Sequence, residues 1–140
     1  MLKITKTIQI NAPAKLVFDA LTIPEQIKSY FPVDYVESDR CEGGRFVLHG
    51  QADGQPFTDF GTIDRFETGR EFQYTYWSTN HGTDRLPENY MTIRYVLSEV
   101  NGGTNLELQH INLLHENRLQ VMLGVWEFLL GNLRAYAEGA

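Results

Sequence analysis

Apolar residues recur at steps of three and four along the end of the chain. Between His115 and Gly139 they are Leu119, Met122, Val125, Trp126, Leu129, Leu130, Leu133 and Tyr136, the period of a one-sided helix. Such a stripe must be buried against another layer. Upstream the period changes to two. Ile4, Ile8 and Ile10 share one face of a first strand, with Thr5, Thr7 and Gln9 on the other. Phe72, Tyr74 and Tyr76 form one alternating set, Met91, Ile93, Tyr95 and Leu97 a second, and Leu106, Leu108 and His110 a third. All three are expected on the concave face of a curved sheet that covers the helix.

Punctuation sets the remaining elements. Asn11-Ala12-Pro13 ends the first strand and opens a helix carrying Leu16, Val17, Ala20 and Leu21, with Asn11 suited to the cap and Pro13 to the first turn. Thr22-Ile23-Pro24-Glu25 has the spacing of a capping box and predicts a second short helix, ending near Tyr30-Phe31-Pro32. Turn signals then fall at Glu42-Gly43-Gly44, Asp53-Gly54, Glu67-Thr68-Gly69 and Asn101-Gly102-Gly103. They bound strands near 33–40, 45–51, 56–66, 70–79, 89–99 and 104–112. Gly61 interrupts the fourth strand, where a bulge or bend is expected. Thr79 to Glu88 is the longest irregular stretch; it reads as a surface excursion, with a functional lid as the alternative. The order is strand, two helices, six-stranded meander, long helix. The fold class is α+β with an antiparallel sheet, in one domain spanning residues 1–140.

Composition narrows the function. Apolar residues make up 42%, charged residues 21% and aromatic residues 12%, which fits a packed core with an aromatic-rich interior. The aromatics serve equally as core or as the wall of a small-molecule pocket. Net charge is −6, and Lys and Arg are scattered, so neither nucleic acid nor an anionic membrane surface is expected as partner. No stretch approaches the ~20 apolar residues of a spanning helix. The segment Met1-Leu2-Lys3-Ile4-Thr5-Lys6 alternates like a strand and lacks the apolar run of a signal peptide, so a cytoplasmic protein is expected. Cys41 is the single cysteine, which rules out an intrachain disulfide.

Three stretches carry a family likeness. Val17-Phe18-Asp19-Ala20-Leu21-Thr22-Ile23-Pro24-Glu25, Gly43-Gly44-Arg45-Phe46, and Gly124-Val125-Trp126 with Leu129, Leu130, Leu133 and Tyr136 occur in this order. Together the chain resembles the START-like (SRPBCC) superfamily with its helix-grip fold, and within it the branch named after the activator of the heat-shock protein 90 ATPase. The resemblance implies a sheet wrapped around the C-terminal helix, with two short helices after the first strand. It implies a deep cavity for a lipid, hormone, polyketide or other apolar ligand. It also implies relatives that are polyketide cyclases or hydrolase-like enzymes, and a co-chaperone whose chaperone binding lies largely in a separate N-terminal domain. A chain of 140 residues has no room for that domain.

Candidate chemistry is sparse. The histidines are His49, His81, His110 and His115, none paired at metal-ligand spacing; His81 with Asp84 and His115 with Glu116 are neighbours on polar segments. Neither a metal nor a cofactor is expected: nucleophile-elbow, phosphate-loop and dinucleotide motifs do not occur. His110 faces the interior, where it orients a ligand, acts as acid or base, or is a core histidine satisfied by a carbonyl or a tyrosine hydroxyl. Tyr74, Tyr76 and Tyr95 share its face and offer hydroxyls to a ligand or to solvent. The facing of Arg65, Arg94 and Asp59 depends on where the Gly61 bend falls; Arg94 alternates to the outside, and a solvated face or a surface ion pair is the expected role. Trp77 is expected on the outer face, Trp126 at the cavity floor, and Cys41 as incidental.

The leading expectation is a binding module for an apolar small molecule, with orientation set by His110, Tyr74, Tyr76 and Tyr95, and walls from Phe46, Phe72, Met91, Met122 and Trp126. The alternatives are a cyclase- or hydrolase-like enzyme using His110, and a chaperone-associated stress-response domain that works through its surface.

Overall fold

The computed structural model describes residues 2–139; Met1, at the head of the alternating N-terminal segment, and Ala140 lie outside them. The elements are β1 (Leu2–Ile10), α1 (Ala14–Thr22), α2 (Pro24–Tyr30), β2 (Tyr35–Ser38), β3 (Arg45–Ala52), β4 (Gln55–Glu67), β5 (Glu71–Ser78), β6 (Met91–Val100), β7 (Gly103–Leu113) and α3 (Leu119–Gly139). The seven strands form one antiparallel sheet in the order β1-β7-β6-β5-β4-β3-β2. This is the α+β helix-grip arrangement, with α3 lying across the concave face.

Hairpin chemistry fixes the meander. Asp53 and Gly54 join β3 to β4 with φ of 52° and 78°, and Asn101 and Gly102 join β6 to β7 with 52° and 82°. Two positive φ values in a two-residue loop make the turn whose twist matches the flanking strands. The helix starts differ from the sequence reading. Pro13, not Asn11, is the cap of α1, and neither α1 nor α2 has a side-chain cap. Thr22 belongs to the end of α1, where its hydroxyl donates to the Phe18 carbonyl at 2.9 Å, so the capping box with Glu25 does not form. The backbone N–H of Asn11 instead donates to the Glu138 carboxylate at 2.8 Å, tying the loop to the end of α3. The terminal helix begins at Leu119, after a short 3-10 turn over Glu116–Arg118, rather than at His115.

Curvature enters at β4. The register with β5 slips between Ile63 and Arg65, so the bulge falls at Asp64 and not at Gly61. Gly61 has another duty. A Cβ there would lie 2.7 Å from the Phe46 carbonyl oxygen and 2.9 Å from that of Thr75, so both neighbouring backbones close in on it.

The interior has two halves. At one end Phe18, Phe46, Phe66 and Phe72 pack edge to face, with ring centroids 5.2 Å apart for Phe18–Phe66 and for Phe46–Phe72. Tyr95 stacks on Phe72. Here α3 is sealed: Trp126, Leu129, Leu130, Leu133 and Ala137 are buried. Towards its N-terminus the same stripe is not sealed. Leu119 and Met122 are half-buried, and Val125, expected in the core, is 37% exposed. The sheet beneath them is not filled by side chains.

These contacts set opposite signs for two glycines. Gly61→Ala is expected to destabilise the fold by about 1–3 kcal/mol, because neither strand can yield without moving backbone. Gly124 lies on the exposed side of α3, and a methyl group added there would meet nothing within 4 Å. Its replacement by Ala is expected to gain about 0.5–1 kcal/mol. Urea unfolding midpoints, at unchanged slope, check both.

Candidate functional site

Strand register orders the concave face into rows. Ile63, Tyr74, Ile93 and His110 pair side by side across β4, β5, β6 and β7. Gly61, Tyr76 and Met91 form the next row outward, and Asp59 with Ser78 the one beyond. Above these rows lies the unsealed start of α3. The space between is a cavity of about 500 Å³. Its walls are mainly apolar: Leu48, Phe57, Met91, Ile93, Met122 and Trp126 among others.

Six of the nine residues expected around a ligand line this space: Tyr74, Tyr76, Met91, His110, Met122 and Trp126. Phe46, Phe72 and Tyr95 do not. They face the concave side as expected, but they lie in the filled half, where Phe72 is sandwiched among other rings and Tyr95 packs edge-on to Trp126 at 6.3 Å. Alternation fixed their face but not their depth along the strand. Conversely, Asp59, Asn80, His81, His115 and Arg118 line the cavity without having been singled out for it. Asp59, expected on a solvated face, points inward because Asp59, Gly61 and Ile63 share one parity of β4 before the Asp64 bulge resets it. The stretch after Thr79 is likewise more than a surface excursion, since Asn80 and His81 turn back over the cavity.

His110 is held at both ring nitrogens. The indole N–H of Trp126 donates to Nδ1 at 2.9 Å. Indole is a donor only, so Nδ1 must present its lone pair and the neutral ring carries its proton on Nε2. Nε2 lies 3.5 Å from the Tyr76 hydroxyl, a long and weak contact. Burial pushes the His110 pKa down to about 4, with a smaller contribution from His81. Protonation would set Nδ1–H against the indole N–H, which argues in the same direction. At neutral pH the site thus offers a fixed, uncharged N–H donor.

The other polar groups are shaped by the same desolvation. It raises the Asp59 carboxyl to about 6, opposed by the nearby Ser78 hydroxyl. It lowers His81 to about 4, aided by the positive charge of Arg118 and by His115. Nδ1 of His81 is buried without a hydrogen-bond partner among the described residues. Burial likewise raises the Tyr74 and Tyr76 hydroxyls, which stay protonated.

The convex face is occupied differently. Arg94 points outward and pairs with Glu71 at 2.8 Å. Arg65 and Cys41 are exposed. Trp77 lies on this face, donating to the Thr83 hydroxyl at 3.2 Å, with the Arg85 guanidinium over it and over Phe60. His49 bonds Glu37 at 2.9 Å, away from the cavity. Among the described residues no cluster of His, Cys, Asp or Glu is arranged to hold a metal ion, and no helix is long and apolar enough to cross a membrane.

Comparison with known proteins agrees with this architecture. None of the curated proteins matches the chain. Among solved structures, ChR145 from Cytophaga hutchinsonii is 32% identical, with a TM-score of 0.85 over 99% of this chain and 95% of its own. CalU16 from Micromonospora echinospora is 28% identical, with a TM-score of 0.76 over 98% of this chain and 74% of its own. The Aha1 dimer from Colwellia psychrerythraea shares the fold at 17% identity, with a TM-score of 0.77 over 99% of this chain and 97% of its own. The family model described as Activator of Hsp90 ATPase homolog 1-like protein matches residues 11–138. With its sheet, helices and sequence all in agreement, the chain belongs to that family, within the START-like superfamily.

Proposed function

We propose that this domain binds an apolar small molecule in the cavity between the outer rows of the sheet and the start of α3. The observation that carries the reading is a cavity of about 500 Å³ walled by apolar side chains and furnished with a few convergent polar groups. Affinity comes from burying ligand surface, at roughly 25 cal/mol per Å² of apolar area. Orientation comes from His110 Nε2–H, which a ligand carbonyl or hydroxyl can take over from its long contact with Tyr76. The ligand-facing set is therefore Tyr74, Tyr76, Met91, His110, Met122 and Trp126, with Asp59 added.

The same geometry weakens the acid–base reading of His110. A general base needs a free lone pair towards its substrate. Here the lone pair at Nδ1 is taken by Trp126, and the nitrogen nearest Tyr76 carries the proton. A donor that positions a ligand is what such a ring can be. A chaperone-linked role is the other reading, drawn from the family's name alone.

Two measurements follow. Met122→Trp is expected to fill the cavity from the half-buried start of α3. Native mass spectrometry of protein purified from its source should show an adduct in the unaltered chain and lose it in the variant. ATPase stimulation of a purified chaperone that survives Met122→Trp would move the working part to the surface. Trp126→Phe removes the donor that holds Nδ1 and is expected to cost about 1–3 kcal/mol by leaving a buried acceptor unpaired. In NMR titrations His110 should titrate near 4 in the unaltered protein and nearer its ordinary range in Trp126→Phe. The sign of the stability effect is set by the lowered pKa. The unfolded chain binds the His110 proton first, so stability from this group is full above the ordinary histidine range and is lost as pH falls towards 4.

A further inference from the structure

We propose that the cavity selects a ligand bearing a protonated amine, which the Asp59 carboxylate holds against the aromatic faces of Tyr74, Tyr76 and Trp126. The inference rests on the ligand-binding reading above and names the chemical class of the ligand. Its starting point is a carboxyl group without a cation. Asp59 lines the cavity and is half-buried there. Among the described residues the ion pairs involve Lys6, Lys15, Lys28, Arg45, His49 and Arg94, and none reaches Asp59. Ser78 lies opposite it in the strand pair, but its hydroxyl donates to Asn80 Oδ1 at 2.7 Å.

The groups facing Asp59 come from three directions. Tyr74, Tyr76 and Ser78 rise from β5 and are uncharged. His110 on β7 and His81 after β5 are held neutral by burial. His115 and Arg118 stand at the exposed rim before α3, and neither forms an ion pair with Asp59. Arg118 is the one full positive charge on the lining; it acts on His81 at its own end of the cavity, and its exposure to water screens its field beyond that. The half-buried charge of Asp59 is screened less, so it is the main charge in the deeper part of the cavity.

A desolvated carboxylate without a counter-ion is costly, and a ligand that supplies the cation removes the cost. An amine also gains from aromatic ring faces, which attract a cation and not a neutral hydroxyl. An anionic ligand would meet Asp59 uncompensated. The chain's net charge of −6 draws cations towards it during encounter.

Isothermal titration calorimetry with 4-phenylbutylamine and 4-phenylbutanol, alike in shape and different in charge, tests the idea. At about pH 7.5 the amine is expected to bind about tenfold tighter than the alcohol or better, as a charge-assisted contact requires. In Asp59→Asn, close in shape and without the charge, the preference should fall to about twofold or less. The unaltered protein gives a check that needs no variant. The amine's advantage should vanish as pH falls through about 6, where Asp59 takes up its proton, while alcohol binding stays level. A preference that survives Asp59→Asn, or that persists at about pH 5, overturns the proposal. Binding of the alcohol alone overturns it and leaves the cavity as a ligand site. Binding of neither compound overturns the ligand-binding reading and this inference together.

Discussion

The structure depends on one constraint: the apolar stripe of α3 has a single sheet to cover it. One layer must supply both the floor and the walls, so the sheet has to curl. The curl is concentrated at β4, where the Asp64 bulge breaks the ladder and Gly61 lets two strands approach more closely than any side chain would permit. A curled sheet encloses more space than its own side chains fill. Four Phe rings and Tyr95 fill one end. At the other end the row containing Gly61 contributes no side chain from β4, and the helix above it stays half-covered.

Trp126 stands at the boundary between the two ends, and its position has a chemical consequence. An indole ring buried to 3% exposure must find an acceptor for its N–H. The sheet offers His110 Nδ1 at 2.9 Å. Satisfying the helix's tryptophan therefore fixes the tautomer of the sheet's histidine. A contact that anchors α3 thus decides which hydrogen-bonding role the cavity presents, so packing and site chemistry cannot be varied independently here.

Much of the fold was legible in the sequence because it is written in periods. The step of two in Phe72, Tyr74 and Tyr76, and the steps of three and four after Leu119, each fix a face without any knowledge of the partner layer. Hairpin turns were legible for a local reason, since Asp53-Gly54 and Asn101-Gly102 meet a backbone demand within the turn itself. Depth was not legible. Phe46, Phe72 and Tyr95 have the same pattern as Tyr74 and Tyr76, and only the curvature of the sheet decides which of them face space. Asp59 was hidden by parity. Phe60 and Phe66, three residues on either side of Ile63, suggest no consistent alternation, because Phe60 packs under Arg85 outside while the bulge returns Phe66 to the core. The capping box failed because Thr22 had a nearer partner in the preceding turn of its own helix.

Two departures from good packing coincide at the cavity, and this is the argument for locating function there; a third, Asp64 Oδ2 without a hydrogen-bond partner among the described residues, sits at the β4 bulge. An open volume of about 500 Å³ forfeits dispersion contacts along its whole lining. A half-buried carboxyl without a paired cation forfeits part of its solvation. Either is readily removed by a larger apolar side chain, and such replacements of buried charge are often neutral or stabilising. On the convex face Arg94 is matched with Glu71, so the chain does not lack the means to pair its charges, although Asp64 Oδ2 at the bulge is left without a partner among the described residues. Desolvation in the cavity also moves its acid and its bases in opposite directions, Asp59 up to about 6 and His110 and His81 down to about 4. Between those values the same low-dielectric space holds a carboxyl that can gain or lose its charge and imidazoles that stay neutral. Above those values, near neutral pH, the cavity presents one acceptor with a negative charge and one fixed donor without a charge, on opposite sides of an apolar floor. That polarity is a property of the cavity as a whole, since neither group would have it in water.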